Sequence, residues 1–307
     1  MLTVRPAGPG DAADICALLN AVDLIEIGRP ETDLHEVEAD LRHPEMDLAR
    51  DSWLAFEGGR LVAYAALWCD GEPGRIDTDH YVLPAHQDAG ERLLALVEAR
   101  ARERARADGA ALAVLHLNLN TAPTFETRRL TARGWRRVRR HQVMARPLSP
   151  AADPLPVPPP GLTLRDCRAE EDRQRAHALV EETFAEHFDH TPRSYRQWLD
   201  DLDAVHLDWS LVWIASLAGH GDAAVMLSRD DRAAMGWVRN LGVRKELRGR
   251  GIASHLLRHA FGVYAARGRD TLGLGVDTLN ETGALALYEA HGMHLHYAVD
   301  TWEATLC

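Results

Sequence analysis

Lysine is nearly absent from this 307-residue chain, since Lys245 is the single lysine among 35 lysine and arginine residues. Arginine therefore carries almost all of the positive charge, a bias that is typical of a GC-rich genome. Acidic residues number 46, so the formal net charge is -11 at pH 7. A field of this sign repels nucleic acids and anionic membranes and favours cationic small molecules. We therefore expect neither a nucleic-acid partner nor a membrane partner.

One arginine-rich stretch runs against this acidic balance. It is open to two interpretations, a basic patch for RNA or an acidic partner, and a solvated helix and strand face. The thin interleaving of aromatic residues favours the solvated face. The stretch contains Arg128, Arg129, Arg133, Arg136, Arg137, Arg139 and Arg140.

Cysteine and long apolar runs are scarce as well. The four cysteines, Cys16, Cys69, Cys167 and Cys307, have no paired spacing, which argues against a disulfide framework and against a zinc site. No apolar run approaches the roughly 20 residues of a membrane span, and residues 1–6 lack the apolar core of a signal peptide. We expect a cytoplasmic protein.

Histidines invite a metal interpretation. His255 and His259 lie four residues apart on one predicted helix, and His291, His294 and His296 cluster later. The first pair lacks the glutamate of a zinc-protease motif. We therefore predict no metal site.

A proline-rich segment divides the chain. Residues 147–160 contain seven prolines, which exclude a helix or a sheet interior and favour a stiff extended linker. Strand, acidic helix and hairpin patterns follow in the same order on both sides, which indicates an internal duplication. We predict a domain at 1–147, a linker at 148–160 and a second domain at 161–307.

A glycine-rich loop of the second half is the strongest chemical signal. It joins a strand predicted at 236–243 to a helix predicted at 252–267. Gly249 and Gly251 allow the backbone to approach a ligand closely, the first helical turn offers free N–H groups to an anion, and Arg248 and Arg250 add positive charge. These features predict a pyrophosphate site. A Walker loop would need Gly-Lys-Ser/Thr, and a dinucleotide fingerprint would need an acid about 20 residues on; Asp277 lies later than that.

Two motifs carry a resemblance to a known family. The loop fits the pattern Arg/Gln-x-x-Gly-x-Gly/Ala at Arg248, Gly251 and Ala253, and a second segment places Asn280 ahead of Tyr288 and Gly292. On these motifs residues 161–307 resemble the GCN5-related N-acetyltransferases, the GNAT family. The resemblance implies an α/β protein of two tandem GNAT-like domains, each a mixed, mostly antiparallel central sheet flanked by helices.

The resemblance also implies the chemistry. Acetyl-CoA would be the co-substrate, a neutral amine would attack its thioester directly, and proximity would supply roughly 7–11 kcal/mol of the acceleration. A backbone N–H of the fourth strand would polarise the carbonyl, and Tyr288 would protonate the leaving thiolate as general acid. The residues that the resemblance places at acetyl-CoA are Leu241, Gly242, Val243, Arg248, Gly249, Arg250, Gly251, Ile252, Ala253, Ser254 and Asn280.

A general base is not evident from the sequence. The fourth strand of the second half, residues 235–243, contains no acid. Deprotonation relayed by water is one alternative, and a side chain near the acceptor is the other. The side-chain candidates are Glu186, His187, Asp189, His190, His206, Asp208 and Asp277.

The first half resembles the same fold with an altered site. Gln87 and Gly90 keep the Gln-x-x-Gly spacing of the loop. The differences are Arg92 in place of a small residue, Asp88 and Glu91 where phosphates would lie, and Thr131 in place of the tyrosine. A threonine hydroxyl is far too weak an acid to protonate a thiolate. We therefore expect the first half to be catalytically inactive.

These expectations combine into one prediction with two rivals. We predict an acetyl-CoA-dependent N-acetyltransferase that is active in its C-terminal half on a primary amine of a small molecule. The tandem layout is similar to that of mycothiol synthase, which suggests acetylation of a cysteinyl amine as one rival. The other rival is a non-catalytic acyl-CoA binder or sensor.

Overall fold

The computed structural model describes residues 1–44, 46–69, 73–187, 190–202, 206–232, 235–279 and 282–307. The chain divides into two compact units: unit 1 is Met1–His141 with Tyr297–Cys307, and unit 2 is Gln142–His296. Both units have a mixed, mostly antiparallel sheet with helices, which confirms the predicted fold class. Among the described helices, none is long and apolar enough to cross a membrane.

Unit 1 follows the predicted order of strand, helix and hairpin. Its hairpin turns at Gly58 and Gly59, whose φ angles of 58° and 81° explain why glycine occupies both positions. The elements are β1 (Leu2–Arg5), α1 (Ala12–Glu26), α2 (Leu34–Asp40), α3 (Leu48–Asp51), β2 (Ser52–Glu57), β3 (Arg60–Cys69), β4 (Arg75–Val82), α4 (Gln87–Ala107), β5 (Ala113–Asn120), α5 (Thr127–Ala132) and the start of β6 (Arg136–Pro147).

Unit 2 repeats this order. The elements are β7 (Leu162–Asp166), α6 (Glu170–Phe184), α7 (Tyr195–Asp201), β8 (Val212–Leu217), β9 (Gly221–Arg229), β10 (Gly236–Val243), α8 (Ile252–Ala266), β11 (Thr271–Asp277), α9 (Ala284–Ala290) and the start of β12 (His294–Leu306). A short 3-10 helix, Lys245–Leu247, precedes the glycine-rich loop.

The last strand of the chain belongs to the sheet of unit 1. The strand order there is β1-β2-β3-β4-β5-β12, and β12 runs antiparallel to β5 from Val299 opposite Asn120 to Leu306 opposite Ala113. Sequence alone assigns these residues to the second domain, 161–307. The structure places them in unit 1, because the edge of β5 takes its partner from the far end of the chain.

The proline-rich segment packs against unit 2. The strand order of this unit is β6-β11-β10-β9-β8-β7, so residues 142–147 of β6 lie next to β11. Leu148 is buried and donates its N–H to the Asp270 carbonyl at 2.7 Å. Asp153 is buried in an ion pair with Arg146 at 2.7 Å. The segment predicted as a spacer is therefore irregular in backbone but held in place by contacts.

The arginine-rich stretch is paired with acidic side chains. Ion pairs of 2.6–3.4 Å join Arg133 to Glu98, Arg136 to Glu303, and both Arg137 and Arg140 to Asp300. Arg128 and Arg129 both contact Glu126. These pairs favour the interpretation as a solvated helix and strand face, because acidic side chains of unit 1 match six of the positive charges.

Candidate active site

The candidate site of unit 2 begins where the parallel strands β10 and β11 stop pairing. Their register covers Gly236–Val238 against Leu272–Leu274, whereas β10 continues to Val243 and β11 to Asp277. On its other side β10 stays paired with β9 as far as Val243. Within the described strands, the outer part of β10 therefore keeps one edge open on the side of β11.

The alternation of the backbone decides which β10 amides face this opening. The Arg244 N–H donates to the Ala223 carbonyl at 3.0 Å, on the β9 side. Successive residues of an antiparallel strand point their amides to opposite sides. The Gly242 amide therefore points to β9, and the Leu241 and Val243 amides point into the opening. Two backbone donors are thus presented side by side.

Gly242 contributes through packing instead. A Cβ at this position would lie 2.0 Å from the Thr183 hydroxyl of α6, so only glycine lets the helix approach the strand. The register of β10 against β9 shifts between Val238 and Asn240, which is a β-bulge. Bulges bend a strand and increase its twist. The bend lies at the point where β10 and β11 stop pairing.

The glycine-rich loop has the backbone that its sequence predicts. Gly249 and Gly251 have φ angles of 74° and 78°, in the left-handed region that side chains disfavour. Gly251 is the N-cap of α8. The Arg248 Nε donates to the Val243 carbonyl at 3.1 Å, which ties the loop to the end of β10. Arg248 and Arg250 are both exposed, so their charge is available to an anion.

The N-terminus of α8 presents unpaired amides. The His255 N–H donates to the Gly251 carbonyl at 2.9 Å and is the first amide bonded in helical fashion. In the part of the chain that the structure describes, the Ile252, Ala253 and Ser254 amides donate to no protein group. Three aligned donors at the positive end of a 15-residue helix are able to bind an anion. The geometry therefore fits a pyrophosphate.

Ser254 is held by a histidine that the sequence did not assign to this site. Its Oγ lies 2.7 Å from His291 Nε2, and His291 Nδ1 lies 2.8 Å from the Leu287 carbonyl. A carbonyl only accepts, so Nδ1 carries a hydrogen; in the tautomer with its hydrogen on Nδ1, the Nε2 atom accepts from the serine hydroxyl. The Ser254 hydroxyl hydrogen is thereby directed at His291, which leaves the backbone amides as the donors at the helix end.

Tyr288 lies in α9 and is 7% exposed. It belongs to the same apolar cluster as Ile252 and Val276, and Leu241 packs against that cluster. Burial raises the pKa of Tyr288 to about 12. Among the described contacts its hydroxyl has no hydrogen-bond partner. A protonated, unpartnered hydroxyl is thus available on this face of unit 2. Asn280, predicted to bind acetyl-CoA, lies outside the described residues.

Comparison with protein families identifies the domain. Residues 173–293 match the model of the acetyltransferase (GNAT) family. This part of the chain is a GNAT domain. The match begins in α6 and ends just after α9, so it contains the opening, the loop and Tyr288. No curated protein matches the chain significantly.

Solved structures extend the likeness to the whole chain. A GCN5-related N-acetyltransferase from Sphaerobacter thermophilus is 28% identical, with a TM-score of 0.82 over 99% of this chain and 95% of that one. A tandem GNAT protein from the clavulanic acid biosynthesis pathway is 18% identical, with a TM-score of 0.72 over 99% and 98% of the two chains. The second likeness shows the fold alone. The whole chain therefore has the fold of these two proteins, and the family match covers residues 173–293.

The candidate general bases of the GNAT domain are mostly engaged elsewhere. Glu186 pairs with Lys245 at 2.9 Å, which lowers the pKa of its carboxyl. His190 lies 3.3 Å from Glu181. His187 packs against the Phe184 ring at 5.2 Å, and His206 is exposed. Asp189 lies outside the described residues.

The two remaining acids are separated in the structure. Burial tends to raise the pKa of Asp208, but hydrogen bonds from Ser210 and Arg267 outweigh it and lower the pKa; Arg267 follows the C-terminal end of α8, opposite to the loop. Asp277 ends β11, is 6% exposed and accepts from the Leu279 N–H at 2.9 Å. Of the two, only Asp277 lies beside the opening.

The equivalent position in unit 1 is closed. Helix α4 begins directly at Gln87, so residues 87–90 are helical where unit 2 has its glycine-rich loop. The Gln87 side chain donates to the Thr124 carbonyl at 2.9 Å and accepts from the Glu126 N–H at 2.9 Å. A Cβ on Gly90 would lie 2.9 Å from the Phe125 ring. The segment after β5 thus covers the N-terminus of α4.

Charges complete this closure. Arg129 contacts Glu91 and Asp88, which are the acids that replace the phosphate-binding positions. The buried His80 Nε2 lies 2.9 Å from the Gly90 carbonyl. Sequence had indicated only that this loop was altered. The structure adds that a buried phenylalanine and its flanking residues fill the space.

Proposed function

We propose that unit 2 transfers an acetyl group from acetyl-CoA to a primary amine of a small molecule. The observation that carries the proposal is the alignment of unpaired amides at the start of α8 with the open edge of β10. The Ile252–Ser254 amides and the exposed Arg248 and Arg250 supply the positive field that a pyrophosphate requires. The open edge offers the Leu241 and Val243 amides to the extended arm of the same molecule.

The catalytic contributions then follow from these positions. An amide of the β10 edge would donate to the thioester oxygen, where negative charge develops during attack. Tyr288 would donate to the departing sulfur as the general acid. Its burial keeps the proton on oxygen at neutral pH, because the pKa is raised to about 12. Holding the amine against the thioester would supply the largest part of the acceleration.

The attacking amine must arrive neutral. Two of the carboxylates considered as bases are already engaged: Glu186 is paired with Lys245, and Asp277 is buried and accepts from the Leu279 N–H. We infer that water carries the proton away from the amine. The rate should then rise with pH towards the pKa of the free amine.

We further propose that the first half, 1–147, is inactive and that the second, 161–307, carries the only complete site. The covered α4 terminus in unit 1 supports this division. Turnover that persists after both Arg248 and Tyr288 are replaced would refute it.

The decisive assay follows free thiol. The protein is incubated with acetyl-CoA and a panel of amines that includes amino sugars and cysteinyl glycosides, and thiol release is recorded for the wild type and for Arg248→Ala. We expect release with at least one amine and a raised KM for acetyl-CoA in the variant. Tight acetyl-CoA binding without release for any amine would favour the sensor. Preference for a cysteinyl amine would favour chemistry like that of mycothiol synthase.

A further inference from the structure

The β-bulge of β10 carries an arginine to which the proposed acetyl transfer gives no role. The register of β10 with β9 includes Val238 and Asn240 but skips Arg239, which is therefore the extra residue of the bulge. The pairing of β10 with β11 also ends at Val238. Arg239 thus lies where the opening between β10 and β11 begins. Bulges next to active sites commonly redirect a side chain.

The Arg239 side chain lies on the face of the sheet that carries α6 and α7. Its Nη1 donates to the carbonyl of Asp201, the last residue of α7, at 3.2 Å. Further along β10, Gly242 faces Thr183 of α6. Side chains two residues apart on a strand share a face, so Asn240 lies on this face as well. The bulge therefore puts two consecutive polar side chains on one face beside the opening.

Most of the hydrogen-bonding capacity of Arg239 is left over. Within the described ranges, its guanidinium makes one hydrogen bond to protein, the bond to the Asp201 carbonyl. Because a guanidinium has five N–H groups, four remain. The nearby carboxylates are engaged by other arginines, since Asp201 pairs with Arg193 at 2.6 Å and Asp231 pairs with Arg229. The charge of Arg239 is therefore available to a ligand.

The surroundings of Arg239 are positive, in contrast to the net charge of -11 of the chain. The side chain reaches solvent, yet desolvation by the surrounding protein lowers its pKa to about 10. A side chain that is accessible and partly desolvated at once lies in a cleft. Arg229 lowers the pKa further, and Asp201 opposes this effect. Arg239 keeps its charge at neutral pH, so an anion would be attracted into this cleft.

The shape of the guanidinium selects among anions. Its planar fork matches the two oxygens of a carboxylate, to which it donates two parallel hydrogen bonds. The Asn240 amide makes no hydrogen bond to the described residues, and it offers both a donor and an acceptor beside Arg239. An amine that attacks the thioester must approach the opening at which both side chains lie. A carboxylate on the same molecule would then come within reach of Arg239.

We propose that Arg239 binds a carboxylate of the acceptor, so that the substrate of unit 2 is an amino acid or another amine that carries a carboxylate. This inference rests on the acetyl transfer proposed above and adds the class of its acceptor. Arg239 contacts the bound acceptor and sets its specificity, whereas it takes no part in the proton transfers. The net charge of the chain favours cationic molecules, but the local charge at the bulge decides which acceptor is held.

The test compares amines in matched pairs, each a carboxylate and its carboxamide. The pairs are glycine and glycinamide, β-alanine and its amide, γ-aminobutyrate and its amide, and glycylglycine and its amide. Thiol release from acetyl-CoA gives kcat/KM, which is expressed per neutral amine because the two members of a pair differ in the pKa of the amine. We expect at least one carboxylate to exceed its amide by roughly 10- to 150-fold, as for a hydrogen bond to a charged group.

Arg239→Gln should remove this preference. We expect kcat/KM for the preferred carboxylate to fall roughly 10- to 150-fold, whereas kcat/KM for its amide and the KM for acetyl-CoA stay within about twofold. A purely structural role would lower both members of the pair alike. Arg239→Lys should keep part of the preference, because an ammonium retains the charge without the planar fork.

Arg168→Gln is the matched control. Arg168 is an exposed arginine that follows β7, and β8 and β9 separate β7 from β10. Its replacement removes the same charge and should leave the preference within about twofold. Should Arg239→Gln not fold, Arg239→Lys decides the matter, since an undiminished preference in that variant is equally contradictory.

Equilibrium binding separates this inference from the reaction itself. Wild type and Arg239→Gln are saturated with free CoA and titrated calorimetrically with the same pairs. Carboxylate binding that depends on Arg239, without thiol release, would support the assignment and reject the transfer. Thiol release without a preference for carboxylates, or with a preference that survives in Arg239→Gln, would overturn the assignment and leave the transfer intact. Neither release nor binding would contradict both.

Discussion

Removing the Tyr288 hydroxyl from unit 2 tests the catalytic role of this residue separately from its contribution to stability. We expect Tyr288→Phe to lower kcat with little effect on folding, because the Tyr288 hydroxyl has no partner among the described residues. Full proton transfer from a phenol of pKa about 12 to a thiolate of pKa about 8.5 is uphill by about 5 kcal/mol. As general acid, the Tyr288 hydroxyl would therefore contribute mainly through the hydrogen bond that it donates to the sulfur while negative charge develops there.

The size of the effect follows from that role. A hydrogen bond to a charged group contributes about 1.5–3 kcal/mol, which corresponds to a loss of roughly 10- to 150-fold in kcat. The KM for acetyl-CoA should stay within about twofold, because the bond forms only as the sulfur departs. Steady-state thiol release and thermal unfolding measure the two quantities on the same samples.

Tyr264→Phe is the matched control. Tyr264 is fully buried, and its hydroxyl donates to the Arg229 carbonyl at 2.8 Å. Removing the hydroxyl takes a hydrogen bond from this partly buried carbonyl. It should cost about 1–3 kcal/mol of stability, a fall of roughly 2–10 °C in Tm for a unit of this size. Its kcat should be unchanged at a permissive temperature. If Tyr288→Phe keeps more than a third of the wild-type kcat, the role assigned to Tyr288 is wrong.

Three further predictions test the glycine-rich loop, the pairing of β12 with β5, and a buried histidine. Gly251→Ala should raise the KM for acetyl-CoA and destabilise unit 2 by about 1–2 kcal/mol, because φ is 78°; unchanged values of both in kinetics and urea unfolding would contradict the loop geometry. Ala304→Asp places a charge on β12 at a position that is 2% exposed. The amides of β5 in unit 1 should then lose protection from hydrogen exchange, while those of α8 in unit 2 stay protected. A loss of protection confined to unit 2 would refute the pairing of β12 with β5. Burial lowers the pKa of His80 to about 4 from 6.5, so the unfolded state binds the proton more strongly. Stability is then complete above pH 6.5 and falls by up to about 3 kcal/mol as the pH drops to 4. The difference in urea unfolding between wild type and His80→Gln should shrink over that range, and a constant difference would exclude this linkage.

Local rules anticipated much of the second half. Gly249 and Gly251 were expected at a turn that side chains resist, and both have positive φ angles. The strand at 236–243 has the predicted ends, and the helix after the loop begins at Ile252 as predicted. These features depend on residues that are neighbours in sequence, so their causes are visible in the sequence. The prediction of a pyrophosphate site at this loop rests on the same neighbouring residues.

Local sequence patterns did not predict the contacts between residues that are distant in the chain. The sequence offered His291 only as part of a late histidine cluster, and the structure brings it to Ser254, 37 positions away. Phe125 has no sequence signal that marks it as the residue beside Gly90. The alternation that turns the Leu241 amide into the opening, and the Gly242 amide away from it, depends on the register with β9.

The sequence by itself determined that the chain has two related halves and that a glycine-rich turn precedes a helix in the second half. Turn glycines, helix starts and the spacing of apolar residues are decided over a few positions, where backbone sterics dominate. Only the tertiary structure decided that Val299–Leu306 complete the sheet of unit 1 and that residues 124–126 cover the end of α4. Many strand pairings satisfy the same local pattern. Which strands pair, and which side chains fill a site, therefore depends on how well surfaces from distant parts of the chain pack together.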